Sequence, residues 1–299
     1  MGFRMDPGAL DNTANRCSAR AGTISLHDSA RSCMITVSLG VRQMDDYRAT
    51  VDAVFDKVRF DEGRNGRARV GFVLIPNEQT IEEDMIRHMP PGVGAYFSRL
   101  TMPREITTDS LSQAGASMAD AAARILPDDG LDVICYACTS GTVSLGEDRT
   151  HAELTRGAPG AKPASLAGAV RKALGALGVH KIVLGSPYVD ELNQNMVRYF
   201  EGAGFEVLEA HGMGLLHDTE MIRVAPDYIV DYACAIDRPD AEAVLISCGA
   251  LRAIDVVDRI EQTLGKPVIC SNQAMLWDCL RLAGIEDRLP GLGRLLRDH

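Results

Sequence analysis

The 299-residue chain sets 31 Lys+Arg against 41 Asp+Glu, a formal charge of −10 at pH 7, and is 46% hydrophobic. The acidic balance argues against nonspecific nucleic-acid binding, in which cations replace phosphate counterions, and the apolar content argues against disorder. No run approaches the roughly 20 apolar residues that span a bilayer, residues 1–22 lack a signal peptide's apolar stretch, and eight cysteines are too sparse for a disulfide framework. The expectation is a reduced, cytoplasmic, globular protein with no nucleic-acid or membrane partner.

Residues 1–33 show little periodicity and read as a loose extension. Cys33-Met-Ile-Thr-Val-Ser-Leu then reads as a strand or apolar packing arm, Tyr47 to Val58 has helical spacing, and Asp61 to Arg67 is a turn. A regular alternation follows. The strand-like runs are Arg69–Ile75, Leu131–Ala137, Lys181–Gly185 and Ala243–Ser247, with shorter ones at Phe205–Leu208 and Lys266–Cys270. The helix candidates are Thr80–Met89, Ser112–Ile125, Ser165–Leu177, Val189–Ala203 and Ala253–Leu264. Compact apolar strands alternating with helices predict parallel sheets covered on both faces, with ligands at the carboxyl ends of the strands.

The chain also matches itself. Pro76 and Pro187, each after an apolar strand, stand 111 residues apart, and Cys138 and Cys248, each ending another strand, stand 110 apart. Ile81-Glu-Glu-Asp-Met-Ile-Arg-His-Met falls over Leu192-Asn-Gln-Asn-Met-Val-Arg-Tyr-Phe at the first of these offsets. This predicts an α/β protein of two similar Rossmann-like parallel-sheet lobes, related by a pseudo-twofold with the active site between them. The expected division is an N-terminal extension over 1–66, a first lobe over 67–178, a second over 179–288 and a tail over 289–299, with lobe-crossing segments allowed.

Cys138 sits in Cys135-Tyr-Ala-Cys-Thr-Ser-Gly and Cys248 in Ser247-Cys-Gly-Ala-Leu-Arg, both where strand gives way to small residues. Backbone donors at such a transition are expected to lower a thiol's pKa and hold a carboxylate. One thiolate can then take a proton or attack carbon while the other thiol delivers a proton from the opposite side. Burial of both as small core residues is the plainer alternative. Thr139 and Ser140 offer hydroxyls beside the first cysteine, and Asn77, Tyr188 and Asn193 fall near the two proline turns. Turn formation, core packing and helix capping compete for those last three.

Arg104 and Arg252 are candidate carboxylate partners or solvated surface groups. His151, His211 and His217 are not spaced as a metal motif, and Cys135-x-x-Cys138 lacks the second knuckle of a zinc site. Cys270 and Cys279 fit core packing better than a pocket. Gly212-x-Gly214 lacks the rest of a nucleotide fingerprint and reads as a turn. No metal is expected.

Four motifs together resemble the maleate isomerase and arylmalonate decarboxylase branch of the aspartate/glutamate racemase superfamily. They are Ile75-Pro-Asn-Glu-Gln-Thr, Tyr136-Ala-Cys-Thr-Ser-Gly, Leu184-Gly-Ser-Pro-Tyr-Val-Asp-Glu-Leu-Asn and Ile246-Ser-Cys-Gly-Ala-Leu-Arg, within residues 67–288. The stretch from Leu264 to Trp277 is similar to the isomerase-like branch, including its ectoine-utilisation members. The resemblance implies a cofactor-free site between two α/β lobes and a homodimer. It marks Cys138 and Cys248 as the opposed catalytic pair, with Asn77, Thr139, Tyr188 and Asn193 orienting substrate. Backbone groups near Gly249 and Ala250 would bind a carboxylate.

The implied reaction is maleate-like cis–trans isomerisation of a small carboxylate or dicarboxylate. Amino-acid or hydantoin racemisation is the enzymatic alternative, and noncatalytic binding of a small carboxylate is the other class. Two cysteines count against decarboxylation, since that activity goes with the second cysteine alone. Two departures stand out. Gly249 replaces the branch's threonine, and Lys162-Pro-Ala-Ser stands where paired threonines are expected; both are expected to alter carboxylate recognition.

Overall fold

The computed structural model describes residues 46–51, 58–61, 63–103 and 107–299. The expected packing arm at Cys33–Leu39 and the candidate Arg104 lie outside the described residues, as does most of the N-terminal extension. By its internal contacts the chain divides into Met1–Asp61 and Glu62–His299. In the first unit, residues 46–51 are helical (α1). Both sheets lie in the second unit.

Four parallel strands make one sheet in the order β2-β1-β3-β4, and four more make a second in the order β6-β5-β7-β8. In the first, β1 (Ala68–Leu74) and β3 (Val133–Tyr136) are central, flanked by β2 (Val93–Arg99) and β4 (Lys162–Ser165). In the second, β5 (Lys181–Ser186) and β7 (Ala243–Ile246) are central, flanked by β6 (Glu206–Gly212) and β8 (Val268–Cys270). The two sheets therefore share one strand order, as the internal match predicts.

The central strands are the legible ones because each is covered on both faces. All four residues of β3 and all four of β7 are buried, so their sequences run apolar without alternation. The edge strands β2 and β4 escaped the sequence reading. The first is half-buried and carries Gly94, Ala95 and Ser98; the second is four residues long and contains Pro163. Proline lacks a ladder donor and is confined to such edges. Lys162-Pro-Ala-Ser is this edge strand, and Lys162 Nζ donates to Leu282 O at 2.8 Å.

Helices cover both sheets. α2 (Ile81–His88) and α3 (Thr108–Ala123) follow β1 and β2, and α4 (Thr139–Leu145) and α5 (Glu147–Gly157) follow β3. α6 (Leu166–Ala176) follows β4, and α7 (Asp190–Gly202) follows β5. After β6 come the short α8 (Asp218–Met221) and then α9 (Pro226–Ile236). α10 (Val257–Leu264) precedes β8, and α11 (Ser271–Leu282) and α12 (Gly293–Asp298) close the chain.

α11 leaves the second sheet and packs on α6 of the first, tied by Lys172 Nζ to Asp278 Oδ2 at 2.8 Å. The halves thus share one continuous apolar core. Among the described residues, no helix is long and apolar enough to cross a membrane.

Candidate active site

Each sheet sends its two central strands toward the same place. Beyond β1 the chain turns through Ile75 to Glu78, beyond β3 it reaches Cys138, beyond β5 Tyr188, and beyond β7 Cys248. Ile75, Glu78, Cys138, Thr139, Ser140, Tyr188, Asp218, Cys248, Gly249 and Ala250 line one cleft with Ala137, enclosing about 300 Å³ that includes its open mouth. Convergence of loops at the carboxyl ends of parallel strands is where α/β folds bind ligands.

Cys138 caps α4, and its sulfur accepts from Gly141 N–H at 3.3 Å, with the Ser140 hydroxyl 3.8 Å away. Gly141 is needed there because a Cβ would fall 2.3 Å from the buried Tyr136 hydroxyl. Cys248 lies in the loop after β7, and its sulfur accepts from Ala250 N–H at 3.4 Å. Its backbone stands at φ 140°, a region that side-chain-bearing residues avoid. Such strain, on the order of 1–3 kcal/mol, persists where the surroundings over-determine it.

The surroundings here are specific. The Cys248 N–H donates to the Ser271 hydroxyl at 3.0 Å, and that hydroxyl lies 3.1 Å from Thr139 Oγ1. Asn272 Nδ2 donates to Gly249 O at 2.8 Å and to Asp84 Oδ2 at 2.7 Å, while Thr80 Oγ1 donates to Ala250 O at 3.0 Å. The loop carrying the second cysteine is therefore pinned by α2 of the first half and by the start of α11.

The expectation that backbone donors leave the thiols acidic is corrected. Burial pushes Cys138 up to about 11, with the Gly141 N–H and Ser140 pulling down and the charge of Asp218 adding to the rise. Cys248 is pushed up further, by burial first and by Asp218 next, against a lowering by the Tyr188 phenol and the Ala250 N–H. One backbone donor apiece does not offset desolvation in a site where both residues are under a tenth exposed. Tyr188 is buried, and its phenol faces the Cys248 thiol and the Ser140 hydroxyl.

Thr139, Ser140, Tyr188, Gly249 and Ala250 line the cleft with the two cysteines. Asn77 and Asn193 do not. Asn77 is half-buried in the turn, where its carbonyl accepts from Gln79 Nε2 at 3.4 Å. Asn193 is buried, accepting from the Ser186 hydroxyl at 2.5 Å, so it holds the turn that presents Tyr188. Arg252 donates to Val224 O at 3.0 Å and is no part of the lining. Neither is Lys162-Pro-Ala-Ser. Gly249 does lie in the cleft, and a Cβ on it would come within 2.8 Å of Ile81 Cδ1. The isoleucine occupies the space into which the branch's threonine would project.

Four lining residues went unpredicted, the apolar Ile75 and Ala137 and the acids Glu78 and Asp218. Glu78 is 3% exposed and precedes α2, its Oε1 accepting from Ile81 N–H at 2.8 Å and from Thr80 N–H. Burial raises its carboxyl despite those donors. Asp218, at the start of α8, is 6% exposed and its Oδ2 has no hydrogen-bond partner. Burial, with the nearby charge of Glu78, pushes it up to about 7. Glu78 stands two residues before the N-cap Thr80, outside any capping position, so it carries no sequence signal. Asp218, in a four-residue helix after a glycine turn, has no periodic signal.

Among the described residues no cluster of three or more His, Cys, Asp or Glu could hold a metal. Cys135, expected inside its strand, meets Cys279 rather than Cys138.

The family model for arylmalonate decarboxylase matches residues 95–296. Arylmalonate decarboxylase of Bordetella bronchiseptica is 31% identical over 76% of this chain and 95% of its own. Maleate isomerase of Nocardia farcinica is 27% identical over 78% of this chain and 96% of its own. Among solved structures, the Nocardia maleate cis–trans isomerase with a covalently bound succinylcysteine intermediate superposes with a TM-score of 0.71 at 24% identity. It covers 78% of this chain and 99% of its own.

Proposed function

The chain belongs to the arylmalonate decarboxylase family, and from that premise we propose a cofactor-independent isomerase that acts on a small carboxylate through Cys138 and Cys248. The observation that carries this reading is that both thiols line one cleft, each delivered by a central strand of a different sheet. Decarboxylation needs a proton returned to one face of a carbanion. A second thiol supplies what only a stereochemical inversion or a cis–trans change requires, a proton acceptor or nucleophile besides the donor.

The two thiols divide the work by their environments. Cys138 stands at the N-terminus of α4 with the Gly141 N–H and the Ser140 hydroxyl at its sulfur, donors that favour its thiolate, so it serves as base or nucleophile. Cys248, held protonated, is the donor, and the Tyr188 phenol stabilises the thiolate left when it gives its proton away. The hydroxyls of Thr139 and Ser140 and the backbone at Gly249 and Ala250 hold the carboxylate.

Two reactions fit this arrangement. In the maleate-like reading, supported by the maleate isomerase relatives, the Cys138 thiolate forms a C–S bond to one alkene carbon and Cys248 protonates the other. Rotation about the single bond follows, and return of that proton to Cys248 expels the Cys138 thiolate to leave the trans alkene. In the racemase reading, Cys138 removes the proton on a carboxylate's α-carbon and Cys248 adds one from the other side. Glu78 and Asp218 in the lining favour the second, because buried carboxyls oppose a substrate with two carboxylates.

Proton NMR in deuterated buffer tests the choice. Conversion of maleate to fumarate identifies the first reaction, whereas α-deuteration with loss of optical purity identifies the second. A ligand that binds with neither change would overturn catalysis in favour of a binding protein.

A further inference from the structure

The cleft that holds the two thiols is lined, among the described residues, by two acids and by no Lys, Arg or His. That is an odd lining for a site meant only for an anion. Asp218 is the odder of the two acids. It is more than nine-tenths buried, it lines the cleft, and its Oδ2 finds no donor in the protein. Buried polar atoms are almost always partnered, and an orphan on a residue that lines a cavity points to a group the cavity receives. Glu78 lies close enough for its charge to bear on Asp218. Its Oε1 is already committed to the N–H groups of Thr80 and Ile81, so it is fixed in place rather than free to swing away.

We propose that Glu78 and Asp218 form a cation subsite inside the two-thiol cleft, so that the substrate is a small carboxylate that also carries a protonated amine, an amino acid rather than a dicarboxylate. This rests on the two-thiol reading above and narrows its substrate. The carboxylate goes to Thr139, Ser140, Gly249 and Ala250, and the ammonium goes to the Asp218 carboxylate. The pairing has a consequence for the chemistry. Burial holds both thiols protonated, and the charge of Asp218 adds to that. An ammonium seated against it offsets that charge and brings Cys138 nearer to ionisation when the substrate arrives.

The test reads local charge without needing turnover. The intact protein is labelled with three methanethiosulfonates of similar size, bearing an ammonium, a sulfonate or no charge, and mass spectrometry follows Cys138 and Cys248 separately. Each rate is divided by that of the same reagent with free 2-mercaptoethanol, and taking ratios between reagents cancels the thiolate fraction. The expected result is a cationic-to-anionic ratio of at least 10 at both cysteines, falling at least threefold in Asp218→Asn. Glu78→Gln checks the second acid, and its melting curve shows whether the start of α2 has survived. A ratio near or below one, a ratio unchanged in Asp218→Asn, or no labelling of either thiol by any reagent would overturn the subsite. Thiol catalysis fails separately: a clear cation preference with hydrogen exchange that persists after loss of either cysteine removes the two-thiol reading and leaves the subsite standing.

Discussion

Across the boundary between the two sheets, the hydroxyls of Thr139 and Ser271 meet at 3.1 Å. Ser271 also accepts the Cys248 N–H. One hydroxyl therefore ties the residue after the first cysteine to the backbone of the second, and the strained φ of Cys248 is held through it.

Ser271→Ala should expose that dependence. It leaves the buried Cys248 N–H without its acceptor, at a cost of about 1–3 kcal/mol, read as a lower midpoint in urea unfolding. The geometry of the second thiol should suffer with it. Turnover is expected to fall about tenfold with little change in KM; a loss confined to stability would show that Ser271 is only a structural tie.

Tyr188→Phe removes the phenol that faces Cys248 and Ser140 while keeping the buried ring. A fall of about 10–100-fold in turnover is expected, with an unchanged melting temperature. Turnover equal to wild type would assign the phenol to packing.

Gly141→Ala places a methyl against the Tyr136 ring and hydroxyl at the first turn of α4. The ring is fully buried and cannot move aside. The helix start should shift, costing about 1–3 kcal/mol of stability and loosening the N–H that bonds Cys138. Thermal unfolding measures the first effect and alkylation of Cys138 the second.

Asp218 carries a carboxyl raised to about 7 from an ordinary value near 4. Between those pH values the folded protein binds more protons than the unfolded chain, so this group's contribution is complete below pH 4 and is lost as pH rises through about 7. Asp84, raised similarly by burial, acts in the same direction. Asp218→Asn should flatten the decline between pH 4 and 8, stabilising the protein at pH 8 by roughly 2 kcal/mol relative to wild type. Urea unfolding at the two pH values measures it. An equal decline in both proteins would show that Asp218 titrates normally.

What the sequence made legible follows burial. Central strands buried on both faces announce themselves as apolar runs, and the matched prolines and cysteines show that the halves repeat. The edge strands at Val93 and Lys162 did not, because half-buried or proline-bearing strands lose the apolar signal. In the site, residues adjoining a strand end were found: Cys138, Thr139, Ser140, Tyr188, Cys248, Gly249 and Ala250. Asn77 and Asn193 were drawn in by nearness in sequence, but Asn193 is taken up by Ser186. Asp218 reaches the cleft from a short helix after β6, a long-range placement that no local pattern encodes. The thiol pKa values were misjudged for a related reason, since desolvation depends on everything packed around a group rather than on its neighbours in the chain.

The central claim is that two thiols act together on one carbon framework. Its most direct measurement is proton NMR of reduced wild type, Cys138→Ala and Cys248→Ala in deuterated buffer, with maleate, aspartate, 2-aminobutyrate and an arylmalonate. The account predicts that wild type places deuterium at the α-carbon of an amino acid and erodes its optical purity, and that racemisation is lost in both variants, by at least a thousandfold. Racemisation or isomerisation that survives removal of either cysteine, or no turnover of any of the four by wild type, would contradict it.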